Sequence, residues 1–108
     1  NTEYLDLKIS ARVVKDLAQA IDHIEEFGSR HSECIVTQNT MAAREFETKV
    51  DAAVVYWNSS TRFTDGFQFG LGGEIGISTQ KLHVRGPVGL EALTSLRWVC
   101  HGHGETRK

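Results

Sequence analysis

The sequence predicts an α/β fold: a βαβαβ segment with parallel strands, followed by a glycine-rich loop and a last strand. Three observations predict it. Between residues 5 and 57 the apolar spacing switches from period 2 to helical and back, in the order strand, helix, strand, helix, strand. The third of these strands, Ala52-Ala53-Val54-Val55-Tyr56-Trp57, is a near-continuous apolar run, the pattern of a strand covered on both faces of a parallel sheet. Beyond residue 58 the long periodicities stop and glycines crowd together.

The elements follow in order. Leu5, Leu7, Ile9, Ala11 and Val13 alternate with Asp6, Lys8, Ser10 and Arg12, which predicts a first strand over 5–13 with one polar face. Asp16 is placed to cap a helix, with Gln19 three residues on. Leu17, Ile21, Ile24 and Phe27 form its apolar stripe, and Gly28 is its stop signal. A short strand is expected over 33–37. A second helix follows, capped by Asn39 or Thr40, with Ala42, Phe46 and Val50 on one face. The third strand completes two crossover units, both expected to be right-handed.

Residues 58–89 hold seven glycines together with Phe63, Phe67, Phe69, Leu71, Ile75, Ile77, Leu82 and Val84. That mixture predicts a folded loop with unusual backbone angles rather than a disordered one. A short helical piece is expected over 89–93 and a last strand over 95–100, followed by a polar tail.

Composition bounds the function. The chain has 108 residues, room for one small domain, with 24% charged and 40% hydrophobic residues and a net charge of -2. That near-neutral balance argues against a nucleic-acid or membrane-surface role driven by bulk charge. No apolar run reaches the ~20 residues of a membrane span. Two cysteines, Cys34 and Cys100, are too few for a disulfide scaffold, which points to reduced thiols and an intracellular setting. The chain opens Asn1-Thr2-Glu3-Tyr4 without a start Met, so it is expected to be a piece of something larger.

The strongest local constellation is Asn58-Ser59-Ser60-Thr61-Arg62-Phe63-Thr64-Asp65-Gly66. It leaves the carboxyl end of the apolar strand, where ligands bind in open α/β sheets. An amide, three hydroxyls and an arginine can hold a carboxylate or phosphoryl group; the competing reading is a polar turn whose hydroxyls cap backbone groups. The run Gly70-Leu71-Gly72-Gly73-Glu74-Ile75-Gly76 misses the dinucleotide spacing and reads as tight turns. Cys100, His101 and His103 are metal-ligand types, but ligands that close in sequence rarely converge alone, and a solvated tail is expected. Cys34 reads as a core residue and no nucleophilic set emerges. His83 and Arg85 mark a second polar cluster, with a structural Arg binding loop carbonyls as the alternative.

Three stretches closely resemble the C-terminal signature of the glutamate-5-semialdehyde dehydrogenase family, in the aldehyde dehydrogenase superfamily. They are 58–66, Gln68-Phe69-Gly70-Leu71-Gly72, and 77–93 beginning Ile77-Ser78-Thr79-Gln80-Lys81. The opening Thr2-Glu3-Tyr4-Leu5-Asp6-Leu7 fits too, and the likeness weakens after Trp98. The resemblance implies residues 1–94 as the end of a catalytic domain with a substrate loop at 58–87, and 95–108 as an oligomerisation strand and tail. It implies NADPH-dependent reduction of γ-glutamyl phosphate to glutamate 5-semialdehyde and phosphate in proline biosynthesis, in the cytoplasm, by a homo-oligomer. Substrate contacts are implied for Asn58, Ser60, Thr61, Arg62 and Phe63, and a nicotinamide-ribose contact for Glu3. The family's nucleophilic Cys and dinucleotide domain precede the matched segment, so this chain alone is expected to be inactive. Two other readings stay open: a stand-alone anion-binding module and a purely structural oligomerisation piece.

Overall fold

A computed structural model describes residues 4–104 and 106. Helix α1, Leu17–Phe27, begins where the Asp16 carboxylate accepts the Gln19 N–H at 2.8 Å. Gln19 reaches back to the Lys15 N–H at 2.9 Å, so two otherwise unpaired donors are satisfied. Leu17, Ile21 and Ile24 pack on the core as their spacing predicts. Phe27 leaves that stripe and lies against His23, ring centroids 4.7 Å apart. Gly28 stops the helix in extended backbone, its N–H on the Ile24 carbonyl at 2.7 Å. A Cβ there would stand 2.6 Å from that carbonyl oxygen, so the stop depends on close approach, not on a left-handed turn.

Strand β1, Ser32–Ile35, helix α2, Thr40–Lys49, and strand β2, Val54–Trp57, form one βαβ unit. The strands pair in parallel, Ser32 opposite Val54 and Ile35 opposite Trp57. Asn39 caps α2 by accepting the Met41 and Ala42 N–H groups at 3.0 and 3.1 Å. The helix buries Ala43 and Phe46, and Val50 follows at its end. Ala42, expected on the buried face with Phe46 and Val50, is only half-buried, and Ala43, three residues before Phe46, is buried in its place.

Alternation gives the sheet two unlike faces. Ile35 and Val55 pack against a cluster of Phe46, Val50 and Ala52 together with the α1 stripe. Ser32, Cys34, Val54 and Tyr56 share the opposite face, which the glycine-rich region covers. That region is not a single loop. It contains a 3-10 turn, Thr61–Phe63, and an antiparallel pair, β3 at Ile75–Ile77 and β4 at Gly86–Val88, with Ile75 opposite Val88. Gly70 and Gly72 take positive φ, +74° and +75°, in the turn before β3. The 89–93 piece is a 3-10 turn at Glu91–Leu93.

Two expected strands are absent. Over 5–13, Leu5 has φ +49°, Lys8 folds its N–H back to the Asp6 carbonyl at 2.7 Å, and Leu7 and Val13 are almost fully exposed. Over 95–100, Leu96 and Trp98 stand exposed. Alternation selects residues suited to a pleat, but a strand exists only through a ladder, and no described strand runs beside either segment. The βαβαβ expectation therefore reduces to α1 followed by β1-α2-β2. The resulting shape is open. The radius of gyration is 20.1 Å, against about 13 Å for a compact domain of this length. The accessible surface is 9349 Å², against roughly 6,000 Å² for a folded monomer of this mass.

Gly66 is buried, and a Cβ on it would overlap the Gly72 carbonyl oxygen and lie 2.9 Å from the Glu74 Cβ. Gly66→Ala is therefore expected to cost about 1–3 kcal/mol, read as a lower urea midpoint. Gly73→Ala, with nothing within 4 Å of its added Cβ, is the control. Equal midpoints for the two variants would show that the Gly72 turn yields freely.

Candidate functional site

The polar stretch begins one residue beyond β2. Asn58 sits at φ +53°, a left-handed conformation that asparagine tolerates better than most residues. Its side-chain amide makes both bonds a strand neighbour would make. Oδ1 accepts the Thr37 N–H at 2.8 Å and Nδ2 donates to the Thr37 carbonyl at 2.8 Å. The Trp57 indole donates to that same carbonyl at 2.9 Å, and the Asn58 N–H goes to the Ile35 carbonyl. Asn58 thus ties the start of the loop to the chain leaving β1. Ser59 is tied as well, its carbonyl accepting the Cys34 thiol at 3.0 Å.

The turn at 61–63 carries the charge. Ser60 Oγ caps it by accepting the Arg62 N–H at 3.2 Å, and its hydroxyl proton remains available. Thr61, Arg62 and Phe63 are exposed. Among the described residues the Arg62 guanidinium has no ion-pair or hydrogen-bond partner. It lines a depression of about 250 Å³ with Phe63, Asp65 and Gln68. Asp65 Oδ1 is occupied by the Phe67 and Gln68 N–H groups at 2.9 and 3.1 Å, so that carboxylate holds the next turn rather than neutralising Arg62. An uncommitted guanidinium beside hydroxyl donors can take a carboxylate or phosphoryl oxygen. Glu3 lies outside the described residues.

Two polar clusters were not visible in the sequence. The first joins His31 Nδ1 to Ser32 Oγ at 2.8 Å, Ser32 Oγ to Thr64 Oγ1 at 2.8 Å, and Thr64 Oγ1 to Tyr56 Oη at 2.9 Å. The signal available was period 2 itself, which sets Ser32 and Tyr56 on one face once the strands are in register. The second is centred on Asp51. Lys81 Nζ lies 2.6 Å from its Oδ2, and Arg85 donates to Oδ1 at 3.1 Å and to the Ala52 carbonyl at 3.0 Å. Arg85 thus takes the structural role among the two weighed for it. His83 is exposed, its Nδ1 3.4 Å from the Val84 carbonyl. Beside the Gly28 cap, burial pushes the Glu33 carboxyl upward. No three His, Cys, Asp or Glu side chains among the described residues gather as metal ligands, and no described helix is long and apolar enough to cross a membrane.

A parallel strand pair joined by a helix, with a clamped, arginine-bearing turn at its carboxyl end, is a segment of the α/β class. No protein-family model matches the chain. Known proteins do. Gamma-glutamyl phosphate reductase of Oceanobacillus iheyensis is 60% identical over 106 residues, 98% of this chain and 26% of that protein. Its counterpart from Bacteroides thetaiotaomicron is 61% identical over 98% of this chain and 25% of its own length. The crystal structure of gamma-glutamyl phosphate reductase from Thermotoga maritima superposes with a TM-score of 0.82 at 54% identity, covering 99% of this chain and 26% of that one. The chain thus resembles a segment of that enzyme and spans about a quarter of the length of the curated relatives it matches.

The Lys81 ammonium first, and the Arg85 guanidinium with it, hold the Asp51 carboxyl below its usual range against partial burial. A depressed folded value means stability present above the unfolded value, about 4, and lost as pH falls through the folded one. Asp51→Asn should therefore lower the urea midpoint at pH 7, and the gap to the parent should shrink near pH 3. A gap of constant size across that range would show that Asp51 contributes nothing through its charge.

Proposed function

We propose that this chain is part of an NADP-dependent reductase that converts γ-glutamyl phosphate to glutamate 5-semialdehyde and phosphate in proline biosynthesis. In that enzyme it contributes the substrate-entrance loop and a contact between subunits. The observation that carries the reading is an uncommitted Arg62 on a turn tied to the sheet, in a segment 60% identical to reductases of that name.

The substrate of such an enzyme carries an α-carboxylate and an acyl phosphate. Arg62 is the anion partner, forming charge-assisted hydrogen bonds with a carboxylate or phosphoryl oxygen. Ser60 and Thr61 add hydroxyl donors beside it, and Phe63 gives the depression an apolar wall. Asn58 contributes by fixing the backbone that carries these groups. NADPH, when bound, supplies the hydride. The described residues form no cradle for it, since the run 70–76 leads from a turn into β3 rather than from a strand into a helix. Apart from the nicotinamide-ribose contact read for Glu3, its binding falls mainly to other parts of the enzyme, and so does the attacking thiol.

The subunit contact rests on residues 95–100. Leu96, Trp98 and Val99 are exposed, and an extended segment without a ladder invites strand addition from another chain.

Two measurements test these assignments in the complete enzyme. Arg62→Ala should reduce kcat/KM for the amino-acid substrate about ten- to a hundredfold, the ~1.5–3 kcal/mol of a charged hydrogen bond, with the KM for the dinucleotide unchanged. Unaltered kinetics would return Arg62 to the solvated surface. Val99→Pro removes a ladder donor and should lower the oligomer mass seen by light scattering. A parental mass would exclude 95–100 as the contact.

A further inference from the structure

The hydroxyl chain on the Ser32 and Tyr56 face of the sheet passes through Thr64, the residue at which the Arg62 turn ends. Thr64 closes that turn, its N–H on the Thr61 carbonyl at 3.0 Å. Its side chain is the middle link of the half-buried series from His31 through Ser32 to Tyr56.

Proton counting shows how firmly that link is held. A hydroxyl donates one hydrogen bond and can accept others. Ser32, Thr64 and Tyr56 bring three protons to three links. If His31 Nδ1 accepts, every proton points toward the imidazole and Thr64 donates one bond and accepts one; if it donates, four protons serve the three links and Thr64 still bonds both neighbours. In both cases Thr64 bridges two strands that are themselves in register. The turn is therefore hung from the sheet at both ends. Asn58 fastens its start to Thr37, and Thr64 fastens its end to β1 and β2 together. Arg62 lies between the two fastenings.

We infer that Thr64 and Tyr56, with Ser32 behind them, are positioning residues that hold Arg62 in its anion-binding geometry and so set the enzyme's affinity for the anionic substrate. The inference rests on the reading of Arg62 given above. A purely architectural role is a weaker account, because the apolar cluster of Phe46, Val50 and Ala52 lies on the other face of the sheet and does not involve these hydroxyls.

The test uses the complete enzyme, assayed as phosphate-dependent oxidation of glutamate 5-semialdehyde with NADP. Thr64→Val and Tyr56→Phe each remove one hydroxyl at nearly constant shape. Both should raise the KM for the semialdehyde about tenfold with the KM for NADP unchanged, and Thr64→Ser should restore it. In an Arg62→Ala background, Thr64→Val should add little, because the two substitutions act through one group. If Thr64→Val does not fold, Tyr56→Phe carries the comparison. Parental KM in the hydroxyl variants, no rescue by serine, or full additivity with Arg62→Ala overturns the positioning role while leaving Arg62 as the anion partner. Parental KM values for both the semialdehyde and phosphate in Arg62→Ala itself overturn the underlying reading and this inference with it.

Discussion

A two-stranded parallel sheet with unlike faces is the constraint on which the described structure depends. Two strands cannot bury themselves, and each face is packed against flanking segments of the chain. The Ile35 and Val55 face takes both helices, and Phe46 and Val50 fill the space between them. The Ser32, Cys34 and Tyr56 face takes the glycine-rich region instead, through hydrogen bonds with the Thr64 hydroxyl and from the Cys34 thiol to the Ser59 carbonyl. Polar groups at partly buried positions need partners, and that requirement brings the segment after β2 back across the sheet.

The candidate site follows from that return. Asn58 continues the ladder one step past β2 with its side chain in place of a backbone, which frees its main chain to turn away at positive φ. The turn then has room for three exposed residues before Thr64 anchors it again. Among the described residues the Arg62 guanidinium makes no ion pair, and the nearby acid, Asp65, accepts two backbone N–H groups on Oδ1. Farther along, Asp51 with Lys81 and Arg85 fastens the connection between β3 and β4 to the residues that precede β2.

Several features were legible from residue pattern. The caps of both helices, most of the stripe of α1 and the parallel relation of the two strands rest on local pattern: a side-chain oxygen three residues before a free N–H, a helical repeat of aliphatic residues, a near-continuous apolar run. The loop that carries Arg62 was legible for the same reason, since hydroxyls, an amide and an arginine adjoin in sequence. The resemblance to gamma-glutamyl phosphate reductase rested on long contiguous motifs, and sequence comparison bears it out over nearly the whole chain.

What the sequence by itself determined is therefore local: which residues favour a helix, a pleat or a turn, and which carry charge. Tertiary structure decided whether those preferences were realised. Residues 5–13 and 95–100 have the alternation of strands and form none, because ladder hydrogen bonds come from a neighbour and neither segment has one among the described residues. On α2 it is Ala43, three residues before Phe46, that is buried rather than Ala42. The hairpin of β3 and β4, the Asp51 ion cluster and the hydroxyl chain through Thr64 join residues up to 34 positions apart. Their partners are chosen by register and by which face of the sheet is covered, and no local pattern records either.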